Sequence, residues 1–194
     1  MGLGNTVVNL SAHFNNRGIQ PPDDTPGDYG FNIWRNTFPA EELPEPGSLV
    51  DLVGAVFEFP ARRSAAGDNV RCRGQLVELP GGSWDWIGLV GAAERRTEDE
   101  VELHYADGTV RREWLRMSDF WPQTGAYFGE PRAFVTGSMR YPRHTHLHHA
   151  PSIWQQRVPV RVPAPLAAVR LPDNPAMHVF AMTVTADEES RLAS

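Results

Sequence analysis

Seventeen prolines and seventeen glycines are scattered through these 194 residues so evenly that few gaps between them could hold a helix of several turns. Proline removes a backbone donor and clashes with the preceding helical turn, and glycine costs conformational entropy in any regular element. The gaps hold short alternating or β-branched runs, which fit strands. The pattern predicts them near Thr6–Leu10, Leu49–Phe57, Asn69–Leu79, Trp84–Val90, Glu100–Tyr105, Val110–Met117, Ala133–Met139, Ile153–Val162, Ala167–Leu171 and His178–Val184. In VELHYADGTVRREWL, Asp107-Gly108 reads as a tight turn with positive φ angles, and both flanks alternate apolar with polar. One short helical turn is expected at Pro39–Leu43, with Pro39 as its first residue and two acids behind it.

Strands of this length and spacing predict an all-β protein, a jelly-roll-like β-sandwich with at most one short helix. Its size fits a single domain over residues 1–194. Residues 18–37 carry no strand pattern and read as a long, lid-like N-terminal loop, since loops of that length usually cover or bind something.

The formal charge of −6 argues against nucleic acid or an anionic membrane as partner, because both need a concentrated basic patch. All eighteen basic residues are arginine, so lysine chemistry is excluded. No window approaches the roughly 18 apolar residues of a membrane span, and the first residues do not read as a signal peptide. A cytoplasmic protein is the expectation. The single cysteine, Cys72, has no partner for an internal disulfide and reads as a half-buried strand residue.

Several phrases, in order, carry a family resemblance: LSAHFNNRGI, FPAEELPEPGSLV, GAVFEFP, GDNVRCRGQLVELP, IGLVGAA, VELHYADGTV with MSDFW, and VRLP with MHVFAMTV. Together they resemble the β-sandwich domain at the carboxyl ends of bacterial glycosidases, including α-mannosidase-like and fucosidase-like enzymes, taken to be a carbohydrate-binding or accessory module. The likeness covers nearly the whole chain and implies a sandwich. Within it Asp68-Asn69 and Pro80-Gly81-Gly82 read as turns. The chain departs from the family at Phe31-Asn32-Ile33-Trp34, where relatives run through a glycine-rich phrase with an aspartate. With Asn32 in place of that aspartate a structural calcium loses a charged oxygen ligand, and no metal is expected. A second departure is that the module here stands alone.

The stretch YPRHTHLHH packs four of seven histidines into six residues. On an extended strand His144, His146 and His148 would share one face and His149 the other. Alternate side chains about 6.5–7 Å apart cannot converge on one zinc without a sharp bend. The reading is an exposed loop or strand edge, with a ligand-contacting rim and a metal site as alternatives.

Six tryptophans and nine phenylalanines exceed what a core of this size requires. Trp84 and Trp86 are expected on one strand face, and Tyr29, Phe31 and Trp34 lie in or beside the long loop. Candidate walls of a ligand pocket are Tyr29, Phe31, Trp34, Trp84, Trp86 and Met117. His13, Tyr141 and Gln155 are the candidate polar, catalytic orienters. Asn15-Asn16 reads as a turn, and Glu41-Glu42 and Glu98-Asp99-Glu100 as solvated turns. No serine elbow, phosphate loop or zinc-protease motif occurs.

Three functions fit. The first is a cofactor-independent cyclase holding a hydrophobic polyene or macrolactone polyketide for a [4+2]- or [6+4]-type cycloaddition, since near-attack geometry alone lowers such a barrier. The lysine-free composition looks actinomycete-like, and stand-alone actinomycete polyketide cyclases are similar in size and in lacking obvious motifs. The second is a carbohydrate-binding module without catalysis. The third is a structural protein whose aromatics fill a core or a homodimer interface; exposed sheet edges favour a homodimer. No cofactor is expected. The expected partner is a hydrophobic small molecule, or a glycan under the second reading.

Overall fold

The computed structural model describes residues 4–24, 29–61, 67–121 and 125–186. Sixteen strands run in chain order: β1 (Gly4–Val8), β2 (Ile19–Gln20), β3 (Phe38–Pro39), β4 (Leu49–Leu52), β5 (Ala55–Glu58), β6 (Val70–Arg71), β7 (Leu76–Gly82), β8 (Trp86–Ala93), β9 (Thr97–Tyr105), β10 (Val110–Met117), β11 (Arg132–Val135), β12 (Ser138–Arg140), β13 (Thr145–Leu147), β14 (Ser152–Pro159), β15 (Leu166–Arg170) and β16 (Met177–Ala186). Two 3-10 turns, Ser11–His13 and Ala40–Glu42, are the helical pieces among the described residues. Pro39 precedes the second turn in an extended conformation, one position earlier than expected.

One sheet has the order β1-β16-β8-β14-β11, with β6 added on β16, and the other β10-β9-β15-β7. Taking β1, β7, β8, β9, β10, β14, β15 and β16 as strands one to eight, the two orders are 1-8-3-6 and 5-4-7-2, the jelly-roll arrangement. The all-β sandwich expected from sequence is what the chain forms. Between the sheets lies a core that includes Leu103, Leu115, Met117, Val169, Met182 and Val184.

A second core covers the opposite face of the larger sheet, which explains the excess of aromatics. Phe31, Phe38, Phe57, Phe59, Phe120 and Phe180 pack there with Met139 and Ile153. β16 is therefore buried along its whole length and β8 beyond its first residue, as their near-continuous apolar sequences require. The 18–37 segment helps build this layer. β2 pairs in parallel with β3, Phe31 and Phe38 are wholly buried, and the Phe31 amide donates to the Asn36 carbonyl at 2.7 Å. A lid reading does not fit this anchoring; residues 25–28 lie outside the described residues.

Other expectations change locally. Leu49–Phe57 is a hairpin of two strands, and Asn69–Leu79 and Ala133–Met139 each break in two. In the β9–β10 hairpin Gly108 has φ +85°, whereas Asp107 is not in the left-handed region. Asp107 instead accepts the Thr109 amide at 2.8 Å. Glu98, Asp99 and Glu100 lie inside β9, where Glu98 and Glu100 pair with Arg116 and Arg112 of β10. Glu41 and Glu42 lie exposed in the 3-10 turn, as expected, yet each has a partner: Glu42 accepts the Ser138 hydroxyl at 2.6 Å, and Glu41 pairs with Arg140. Pro80–Gly82 belongs to β7, and Asp68 is a buried carboxylate. Cys72 is fully buried just beyond β6, with its amide bonded to the Met177 carbonyl at 3.0 Å.

Candidate functional site

The second core opens at one end into a cleft of about 360 Å³ lined by Asn32, Trp34, Asn36, Glu94, Asp119, Phe120, Trp121 and Tyr141. Four segments meet there. Glu94 follows the last residue of β8, with its amide fixed to the Ala176 carbonyl at 2.9 Å. Asp119, Phe120 and Trp121 follow β10 and cross the sheet end: Phe120 donates to the Ala93 carbonyl at 3.0 Å and accepts from the Ser152 amide at 2.9 Å. The Trp154 indole holds the Asp119 carbonyl at 2.9 Å, and the Asp119 side chain caps the Trp121 amide at 2.9 Å. Buried Glu130 ties down the Ser118 amide at 2.8 Å just before them.

The third wall is the tip of the 18–37 segment. Arg35 adopts φ +55°, and the Trp34 amide donates to Asn32 Oδ1 at 2.9 Å. This tight turn sends Phe31 inward and leaves Trp34 67% exposed. The fourth is Tyr141, just past β12, whose hydroxyl bonds the Asn36 side chain. Burial pushes the Tyr141 hydroxyl up and the Asn36 bond opposes it. Burial also raises the Asp119 carboxyl, against the Trp121 amide and Arg95. Asn36 is 1% exposed, and its Oδ1 has no hydrogen-bond partner among the described residues. Such an acceptor at a cleft wall is costly unless something donates to it.

The histidine stretch stands at the rim. β13 contains only His146 of the four, and His148 takes φ +64°, which breaks the alternation expected of a strand. That turn brings His149 against His146 at 4.5 Å between ring centroids and against Trp121 at 5.2 Å. His144 stacks flat on Tyr141 at 4.8 Å. The rings thus buttress two walls of the cleft. Among the described residues no three His, Cys, Asp or Glu side chains are grouped to hold a metal ion.

Of the residues singled out in the sequence, the structure brings Trp34 and Tyr141 to one site, with Phe31 behind them against Phe120 at 4.7 Å. The rest lie elsewhere. Trp84 precedes β8 and is buried in the first core with its indole on the Pro80 carbonyl at 2.9 Å. Trp86 opens β8 beneath the Arg157 guanidinium, 4.3 Å above its ring, so the two do not form one face. Met117 is fully buried in the first core because its place in β10 points it inward. Tyr29 bonds Asp24 and lies under Arg17, and burial with that bond pushes its hydroxyl up to about 12. Gln155 spends its amide on the Val53 carbonyl at 2.7 Å. His13 borders a separate groove with Leu76 and Glu78. Sequence reasoning missed Asn36, Glu94 and Asp119 as site residues; the phrase DFW beside an apolar strand end was the available signal.

No helix among the described residues is long and apolar enough to cross a membrane. No curated protein matches the chain. A family model does match, over residues 4–188: the AziU2-like beta-sandwich domain. It supports the β-sandwich over nearly the whole chain and does not confirm the glycosidase accessory domain suggested by the sequence phrases. The chain belongs to the AziU2-like beta-sandwich domain family.

Proposed function

We propose that this protein is a cofactor-independent cyclase that binds a small biosynthetic intermediate between Trp34, Trp121 and Tyr141 and closes its ring by holding it in a reactive conformation. The carrying observation is the buried Asn36 Oδ1 without a partner, set in a cleft with aromatic walls. That is the pattern of a small-molecule site: apolar surface for most of the ligand and a few polar groups for orientation, in a volume within the usual range of about 300–1,000 Å³. Membership of the AziU2-like family supports the reading. The cleft is open and its rim polar, so a polyene or macrolactone substrate would lay its chain along the indoles and present a hydroxyl or amide to Asn36. Near-attack geometry would supply several kcal/mol of the barrier, and a hydrogen bond to a carbonyl would add electrophilic activation.

The open shape, with carboxylates and amides beside indole rings, also favours the second reading, carbohydrate binding without turnover. Incubation with linear polyene macrolactones, followed by chromatography of the products, tests the first. Cyclised product formed faster than in buffer supports a cyclase. Product equal to the uncatalysed reaction, with calorimetric binding of glycans, replaces it with the second.

A further inference from the structure

A chain of polar groups runs inward behind the Glu94 wall of the cleft. Wholly buried Asp68 accepts the Gly18 amide at 2.9 Å, the Ile19 amide at 3.1 Å and the Asn69 side-chain amide at 2.7 Å. The same Asn69 nitrogen donates to the Asn16 carbonyl at 3.2 Å. With its nitrogen facing two acceptors, Asn69 turns its Oδ1 toward His178 Nδ1, 2.9 Å away. An amide oxygen can only accept, and this contact is shorter than the 3.4 Å from the Asn16 side-chain nitrogen, which donates instead to Asn69 Oδ1 at 3.2 Å, so Nδ1 is assigned the imidazole proton.

Nε2 is then an unprotonated acceptor. It is buried, has no hydrogen-bond partner among the described residues, and lies 4.0 Å from Glu94 Oε1. That oxygen also holds Arg71 Nη2 at 3.2 Å. Around the imidazole, β6 contributes Arg71, β8 contributes Ala92 opposite it in register with Glu94 just beyond, and the 18–37 segment contributes Phe31. Arg71 and Glu94 are the charged groups among them. Burial holds the His178 pKa below its ordinary value; Glu94 opposes this and Arg71 adds to it. A histidine kept only for packing would be satisfied by Phe31 and Asn69, and would not need its second nitrogen facing a carboxylate of the cleft.

We propose that Glu94 is the general base of the cleft and that His178 is its positioning residue. Glu94 takes a proton from an N–H or O–H of the bound ligand, and His178 Nε2 then accepts a hydrogen bond from that proton. The ligand's N–H or O–H bond breaks with its electron pair left on the ligand heteroatom, and an O–H bond forms on Glu94. The inference rests on the cleft being the ligand site. It narrows the ligand to one that presents a protic group, which the buried acceptor on Asn36 also requires.

The test uses the whole chain labelled with nitrogen-15 in histidine, observed by long-range proton–nitrogen correlation. Wild type, Glu94→Gln and Glu94→Asp are titrated over roughly pH 5 to 9, the range in which histidine changes charge. The probes are indole, which brings an N–H, and 1-methylindole, which does not. The expected result is an Nδ1-protonated His178 whose Nε2 resonance shifts on adding indole and not on adding 1-methylindole. Glu94→Gln should abolish that shift and lower the His178 pKa, and Glu94→Asp should restore part of both. If indole moves the Trp121 ring resonances while Nε2 stays still, the proposal is overturned. If neither probe moves Trp121, the cleft reading fails and the general-base role of Glu94 falls with it; if the free protein carries its imidazole proton on Nε2, the pairing of His178 with Glu94 is overturned whatever the probes do.

Discussion

Phe31 lies over the His178 imidazole with ring centroids 4.2 Å apart and planes inclined by 31°. One residue of the 18–37 segment thereby closes the second core and covers the inner end of the polar chain leading to Glu94. Phe31→Ala should cost about 3–5 kcal/mol, the usual range for emptying a buried aromatic site. It should also raise the His178 pKa toward its ordinary value, because burial is the main cause that lowers it. Urea unfolding and a histidine titration by NMR check the two effects.

Trp34 and Trp84 should separate binding from stability. Trp34 is exposed at the cleft, so Trp34→Ala should change stability by less than about 0.5 kcal/mol. Its effect should appear as weaker binding of a linear polyene macrolactone in calorimetry. Trp84→Ala should instead destabilise by about 3–5 kcal/mol and leave the affinity of the folded protein unchanged. The reverse pattern would move the site to the first core.

Asp68 should impose its own pH dependence. Burial raises its carboxyl from 3.8 to about 6, against its hydrogen bonds from Gly18, Asn69 and Ile19. The folded state thus binds this proton more tightly than the unfolded chain, so its contribution is full below about pH 4 and is lost as pH rises to about 6, up to about 3 kcal/mol. Asp68→Asn removes that dependence and leaves one backbone donor unpaired, a loss of about 1–3 kcal/mol. Unfolding free energies of both proteins from pH 4 to 7 should therefore differ in slope as well as level.

Cys72 should resist thiol reagents in the folded protein. Burial first, then Asp99, push its thiol up to about 12, so almost no thiolate exists at neutral pH. Labelling with an aromatic disulfide should proceed only as fast as the chain opens and should accelerate with urea. Rapid labelling in buffer would contradict its burial.

The β9–β10 hairpin was legible because the alternation of Val101, Leu103 and Tyr105, a turn-forming aspartate and a glycine all sit within one short stretch. The jelly-roll order was legible only as a class, since the pairing of β1 with β16 joins residues at opposite ends of the chain. Within the candidate site, sequence placed Trp34 in the long loop, and its indole stays outside because the Asn32 side chain and the left-handed Arg35 close a tight turn there. It failed at Trp84 and Met117 because aromatic or apolar identity does not say which side of a strand end faces a core. Glu94 and Asp119 were hidden for a different reason: each looks like an ordinary strand terminus until β8, β10 and the Asn32–Asn36 turn meet. The second core could not be read at all, because two chain segments far from the larger sheet in sequence supply most of its cover.

We propose the cleft between Trp34 and Trp121 as the place of ring closure. This is tested most directly by timing the conversion of a linear polyene macrolactone with wild type and Trp121→Ala, at matched folded concentration. Wild type should accelerate the conversion over buffer, and Trp121→Ala should lose at least about tenfold of that rate, equivalent to about 1.4 kcal/mol of transition-state stabilisation. Equal rates for the two proteins, both above buffer, would place the chemistry elsewhere and contradict it.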